Sequence, residues 1–150
     1  MDSLYPALEL ILPRVEKPAR YVGGEMGAQR PDWDVDAVRW LLCYPDTYEV
    51  GLPNQGLQIL YEIVNEHPRG HAERSYAPWV DMEAELRSAG LPLFSLESFA
   101  PAGAFDVIAF NLAAELVYTN VLNMVDLAGL PIRSAERTEG QPLIIAGGHC

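Results

Sequence analysis

Residues 38–57 read VRWLLCYPDTYEVGLPNQGL, and the change of pattern inside this stretch decides the fold. From Val38 to Cys43 the residues are apolar apart from Arg39; Tyr44 and Pro45 stop the run, and a polar, glycine-bearing loop follows. Leu57, Ile59, Leu60, Ile63 and Val64 then form an apolar stripe, which predicts a helix over residues 55–66. Strand, loop and helix in that order open a parallel βαβ unit, and ligands in such sheets sit outside the carboxyl ends of the strands. The loop at residues 45–56 occupies that place, and within it Asp46, Tyr48 and Gly51 keep the spacing D-x-Y-x-x-G.

The same alternation continues outward. A second strand is expected at residues 72–77, interrupted by Glu73 and Arg74, and a helix at 81–89 with Asp81 as N-cap and Gly90 as stop. Residues 91–96 read as a short third strand. The fourth, FDVIAF at 105–110, is almost continuously apolar, as a strand covered on both faces should be. A long helix over 115–128 ends at Gly129, and a fifth strand over 143–146 runs into Gly147-Gly148. The expected architecture is therefore α/β: a doubly wound, mainly parallel five-stranded sheet of Rossmann-like type, in the order 3-2-1-4-5 with right-handed crossovers. In that order the loops at 45–56 and 111–114 face one crevice where the winding reverses.

Residues 1–36 read as an N-terminal arm and 37–150 as the domain. Leu4, Ala7, Leu8, Leu10, Ile11 and Leu12 fall partly at helical spacing, with Pro6 suited to a first turn and Pro13 to a stop. Residues 14–31 look too polar for a core element, so the arm is either a tether on a neighbouring domain or a loose terminus. At the other end a strand runs into a glycine turn with no following helix, so the domain is expected to be truncated there, with further polypeptide after Cys150.

With 49% apolar and 21% charged residues the composition is that of a globular domain. Ten Lys and Arg against twenty-one Asp and Glu give a formal charge of −11, a field that repels phosphate backbones and argues against nucleic acid as a partner. No apolar run approaches the roughly 20 residues that span a bilayer, which argues against a membrane partner, and the first residues carry no basic region of a secretory signal. A cytoplasmic location is the expectation. Cys43 and Cys150 cannot by themselves build a disulfide framework or a four-ligand zinc site. Cys43 reads as a small buried hydrophobe, and His67 and His71 as solvated residues around a turn.

The D-x-Y-x-x-G spacing resembles the D-x-H-x-x-G of cobalamin-binding domains, with Tyr48 where the histidine would stand. The chain as a whole resembles the N-terminal part of an uncharacterised radical SAM protein family. Residues 12–21 (LPRVEKPARY), 44–51 (YPDTYEVG), 56–61 (GLQILY), 77–79 (APW), 81–83 (DME), 93–98 (LFSLES), 118–124 (YTNVLNM) and 145–148 (IAGG) carry the likeness. It implies a cobalamin-binding-like domain ahead of a radical SAM barrel, which would be its partner and would hold the [4Fe–4S] cluster and S-adenosylmethionine. The cluster signature C-x-x-x-C-x-x-C is absent from these residues, so no catalytic residue and no metal ligand is assigned here.

By the same resemblance, Asp46, Tyr48, Gly51, Asn111, Gly147 and Gly148 would line a cobalamin crevice. A phenol is a much poorer neutral ligand than imidazole, so histidine ligation of cobalt from this loop is ruled out. Three readings stay open: a corrinoid held without a protein ligand, a fold that has kept no ligand, and a crevice for something else. Asp46 could equally bond its own backbone, as turn aspartates do. Asn111 could cap the next helix, and Gly147-Gly148 could simply make a tight turn.

Overall fold

A computed structural model describes residues 3–29 and 36–149. The helix start expected at Asp2, Pro31 of the arm and Cys150 lie outside the described residues. The sheet is parallel and four-stranded, with β1 (Val38–Tyr44), β2 (Gly70–Tyr76), β3 (Val107–Leu112) and β4 (Leu143–Gly148) in the order β2-β1-β3-β4. The helices are α1 (Tyr5–Ile11), the single turn α2 (Tyr48–Gly51), α3 (Gln55–Glu66), α4 (Val80–Ala89) and α5 (Tyr118–Leu127).

Strand periodicity divides the side chains into two cores. On one face Leu42, Tyr44, Ala72 and Tyr76 meet Leu57 and Tyr61 of α3. On the other, Leu41, Cys43, Ile108 and Phe110 meet Met124, Val125 and Leu127 of α5. The connection through α3 runs one way across the sheet and that through α5 runs the other. Crossovers of one hand then put the two helices on opposite faces.

The expected five strands become four because residues 91–96 form no ladder. They make one antiparallel bridge, Phe94 to Pro101. Along the outer edge of β2, where that strand would pair, Leu96 makes a backbone bond, but side chains take the neighbouring groups. The Asn65 amide accepts from Ala72 N–H at 2.9 Å and donates to Ala72 C=O at 3.1 Å. The Glu97 carboxylate accepts from Arg74 N–H at 2.7 Å, and Leu96 N–H donates to Arg74 C=O at 2.9 Å. With these donors and acceptors satisfied, a fifth strand has little left to bond. The remaining order follows the expected one.

The arm also departs from expectation. Leu8, Ile11, Leu12, Val15 and Tyr21 are buried in the α3-side core. The three- and four-residue spacing of Leu8, Ile11, Leu12 and Val15 makes one apolar stripe along α1 and the 3₁₀ turn after it, and Tyr21 joins from the next turn. Burying a leucine or isoleucine side chain contributes on the order of 1.5–3 kcal/mol, which outweighs the polar residues between them. Asp81 is not the N-cap of α4; Trp79 is, and the Asp81 carboxylate instead accepts Glu16 N–H at 2.7 Å, fastening the arm. Gly90 ends α4 in the left-handed conformation, φ 64°, as its position predicts. The last helix opens with a 3₁₀ turn at Glu115–Val117 before α5. Among the described residues no helix is long and apolar enough to cross a membrane.

Candidate functional site

The two loops expected to converge do so at the carboxyl ends of β1 and β3. Asn54, extended at φ −68° and ψ 111°, caps α3 by accepting Leu57 N–H at 2.9 Å. The same oxygen accepts from the Asn111 side-chain N–H at 3.4 Å. Asn120 of α5 donates to Pro45 C=O at 2.9 Å, tying the start of the first loop to the far side of the sheet. Asn54 and Asn111 thus meet at the mouth of the crevice, and Asn120 braces the first loop from behind. Asn111 lies within β3 and Ala114 is the N-cap of the next turn, so the capping reading of Asn111 does not hold.

Below this mouth is a cavity of about 210 Å³ lined by Leu42, Leu57, Leu60, Ala109, Asn111 and Ile145, with Gly147 at its edge. Of the six residues singled out in the sequence, Asn111 and Gly147 line it. Register explains the pair: Asn111 is opposite Gly147 on neighbouring strands. A Cβ at Gly147 would meet nothing within 4 Å, so this glycine leaves space open. Gly148 is different, since a Cβ there would strike the Leu112 carbonyl oxygen. It serves the close approach of β4 to β3.

Asp46, Tyr48 and Gly51 sit apart from that cavity, against β2. Asp46 accepts Thr47 N–H at 2.7 Å, a bond to its own backbone one residue on, and its carbonyl accepts Ala77 N–H at 3.0 Å. Tyr48 packs edge-on against Tyr76, ring centroids 5.6 Å apart and 83° between planes. Burial, and then the neighbouring Glu25 carboxylate, hold its phenol above the ordinary tyrosine range. Gly51 is forced by the same packing, because a Cβ would collide with the Tyr76 ring. Glu49 is bound by the arm, 2.8 Å from the Arg20 guanidinium and 3.6 Å from Lys17, and the Arg20 hydrogen bond holds its carboxyl below the usual range.

These positions test a corrinoid directly. Tyr48 occupies the place of the cobalt-binding histidine, but it is neutral at physiological pH and committed to Tyr76 and Glu25. The cavity wall is almost wholly apolar, and Gly147 alone has the open space that a nucleotide tail would need. The residues present do not fit a protein-ligated cobalamin. Among the described residues no group of three or more His, Cys, Asp and Glu is placed to hold a metal ion.

Beside the crevice lies a polar cluster not anticipated from the sequence. Arg74 Nε meets Glu97 Oε1 at 2.7 Å, and its guanidinium stacks 4.3 Å from the Tyr61 ring centroid. Burial pushes the Glu97 carboxyl up to about 7 against the pull of Arg74, and pushes the Tyr61 phenol up to about 12. On the other face of β2, His71 is buried, not solvated; its Nε2 lies 2.9 Å from Glu73 Oε1, and Ser98 donates to the same carboxylate at 2.7 Å. Cys43 is buried as expected, its thiol pushed up by desolvation. The signal for these pairs was in the sequence: Glu73 and Arg74 interrupt a strand, and charges there must find partners. For Asn54 it was Pro53-Asn54 immediately before a helical stripe.

Fold and site together define an α/β module whose crevice opens at the carboxyl ends of its central strands. Residues 56–150, more than half of the chain, match the family model described as radical SAM proteins, N-terminal. The chain belongs to that family. No curated protein and no solved structure matches it.

Proposed function

We propose that this chain is the N-terminal module of a radical SAM enzyme and that it shapes one wall of the substrate cleft without binding cobalt through a side chain. The family match carries the reading. The [4Fe–4S] cluster and S-adenosylmethionine would belong to the radical SAM portion and would supply one-electron reductive cleavage of the sulfonium. This module's contribution is the crevice mouth: Asn54 and Asn111 offer amide groups on a frame that Asn120 braces from the far side of the sheet, and Gly147 keeps the approach open.

The test uses the protein from its complete reading frame, reconstituted anaerobically with iron and sulfide. Iron–sulfur absorbance and dithionite-dependent release of 5′-deoxyadenosine from S-adenosylmethionine are expected; absence of both would remove the assignment. Gel filtration after incubation with hydroxocobalamin tests the second half. The expectation is that no colour is retained with the spectrum of imidazole- or phenolate-bound cobalt.

A further inference from the structure

A second cavity, of about 240 Å³, lies on the other flank of α3 from the crevice. Its wall is Glu25 of the arm, Leu52 after α2, Gln58, Tyr61 and Glu62 of α3, and Arg74 of β2. The arm is fixed in place here. Gly23, at φ 64°, sits so close to Leu96 that a Cβ would strike its carbonyl oxygen, and Ala28 N–H donates to Glu25 C=O at 3.0 Å to turn the chain. Two buried atoms of this wall are left without partners. Arg74 is 5% exposed; its Nε–H bonds to Glu97, but its Nη2 has no hydrogen-bond partner among the described residues. Glu25 Oε2 is buried and unpartnered in the same way. A buried donor or acceptor left unmade costs the full desolvation of the group, so such atoms call for a specific occupant.

We propose that this cavity binds a free α-amino acid with an uncharged side chain, its carboxylate on Arg74 Nη2 and its ammonium on Glu25. The two orphaned atoms ask for opposite things: a guanidinium N–H needs an acceptor and a carboxylate oxygen needs a donor. The sign of the cavity excludes a simple anion. Glu97 already neutralises Arg74, so Glu25 and Glu62 set the field, and a phosphate or dicarboxylate would meet like charge. A bare cation would leave Arg74 Nη2 unpaired. A zwitterion satisfies both ends and adds no net charge. Gln58, whose Nε2 donates to Leu52 C=O at 2.8 Å, keeps its side-chain oxygen as a further acceptor for the ammonium. Size agrees as well: the volume is that of about eight waters at roughly 30 Å³ each, more than a single bridging water uses. Met26 and Leu52 give the ligand's side chain an apolar rim.

The experiment is calorimetric titration of the full-length protein with glycine, L-alanine, L-leucine and L-glutamine at millimolar concentration. Two analogues of L-leucine are titrated beside them. N-acetyl-L-leucine lacks the ammonium and stands for the carboxyl end of a peptide; L-leucinamide lacks the carboxylate and stands for its amino end. Saturable binding of at least one of the four at a single site per chain is expected, with both analogues at least tenfold weaker than L-leucine. Glu25→Gln, on the arm and away from the Arg74–Glu97 pair, should weaken binding at least tenfold while leaving the melting temperature of the free protein unchanged. Arg74→Lys, which keeps a cation opposite Glu97 but removes Nη2, should weaken it as well. No saturable binding by any of the four would mean that the cavity holds solvent only and would overturn the proposal. Analogues that bind as well as L-leucine would overturn it too, as would binding untouched by Glu25→Gln, which would place the amino acid elsewhere in the protein. None of these readouts depends on an iron–sulfur cluster, so the proposal and the radical SAM reading fail separately.

Discussion

Asn65 and Ala72 exchange two hydrogen bonds, amide side chain to backbone, at 2.9 and 3.1 Å. A side chain on α3 thereby does what a neighbouring strand would do, and it sets the edge of the sheet. Asn65→Ala leaves both Ala72 groups in a partly buried place without partners. Each lost bond costs about 1 kcal/mol, and stranding a buried group adds to it. The expected loss is about 2–3 kcal/mol in chemical denaturation, with faster hydrogen exchange at the Ala72 amide. Asn65→Asp keeps the acceptor but sets a carboxylate against Ala72 C=O, so it is expected to destabilise as well.

Tyr48→His rebuilds the D-x-H-x-x-G spacing yet is expected to bring no cobalt ligation. The side chain at this position is directed at Tyr76 and Glu25, and the crevice cavity is lined by other residues. Hydroxocobalamin mixed with the variant should show the absorbance of the free corrinoid after gel filtration. A retained corrinoid with a nitrogen-ligated spectrum would show that the loop can turn its histidine into the crevice.

What the sequence made legible follows from how local each signal is. The apolar run at 38–43 and the stripe at 57–64 define β1 and α3 because period and breakers are contained within a few residues. Convergence of the loops at Asn54 and Asn111 followed from strand order alone. The false third strand and the burial of Leu8, Ile11 and Val15 were not legible, since both depend on partners distant in the chain. Residues 91–96 alternate well enough for a strand, but Asn65 and Glu97 already fill the edge they would join. Tyr48 was legible as a poor ligand; that it points to β2 was fixed by Tyr76 and Gly51, which spacing does not relate.

Glu73 gives the fold an acid-sensitive contact. Burial raises its carboxyl pKa, but hydrogen bonds from His71, Ser95 and Ser98 outweigh burial and the net direction is downward from 4.5. A carboxyl whose folded pKa is lowered contributes stability above its unfolded pKa, and that contribution disappears as pH falls through the folded value. Melting temperature is therefore expected to drop below about pH 4.5. Glu73→Gln, which cannot ionise, should be less stable at pH 7 and flatter through the acid range. Parallel slopes for the two proteins would remove Glu73 from the account.

Arg74 and Glu97 test whether the charge pair beside the crevice supports the fold as a unit. Both are buried, the carboxylate accepts backbone and guanidinium N–H of the same arginine, and Tyr61 covers the guanidinium face. Removing one partner leaves a buried charge uncompensated, which costs about 3–5 kcal/mol. Glu97→Ala is therefore expected to lose that much and to free both Arg74 N–H groups. Replacing both together, Arg74→Met with Glu97→Leu, removes the unpaired cation and is expected to recover a large part of the loss. Denaturant titration of Arg74→Met, Glu97→Leu and the double variant closes the cycle, with Glu97→Ala as a further single. A double variant no more stable than Glu97→Ala would mean that the edge bond from Arg74 N–H to the carboxylate, not the charge pairing, is what the fold requires.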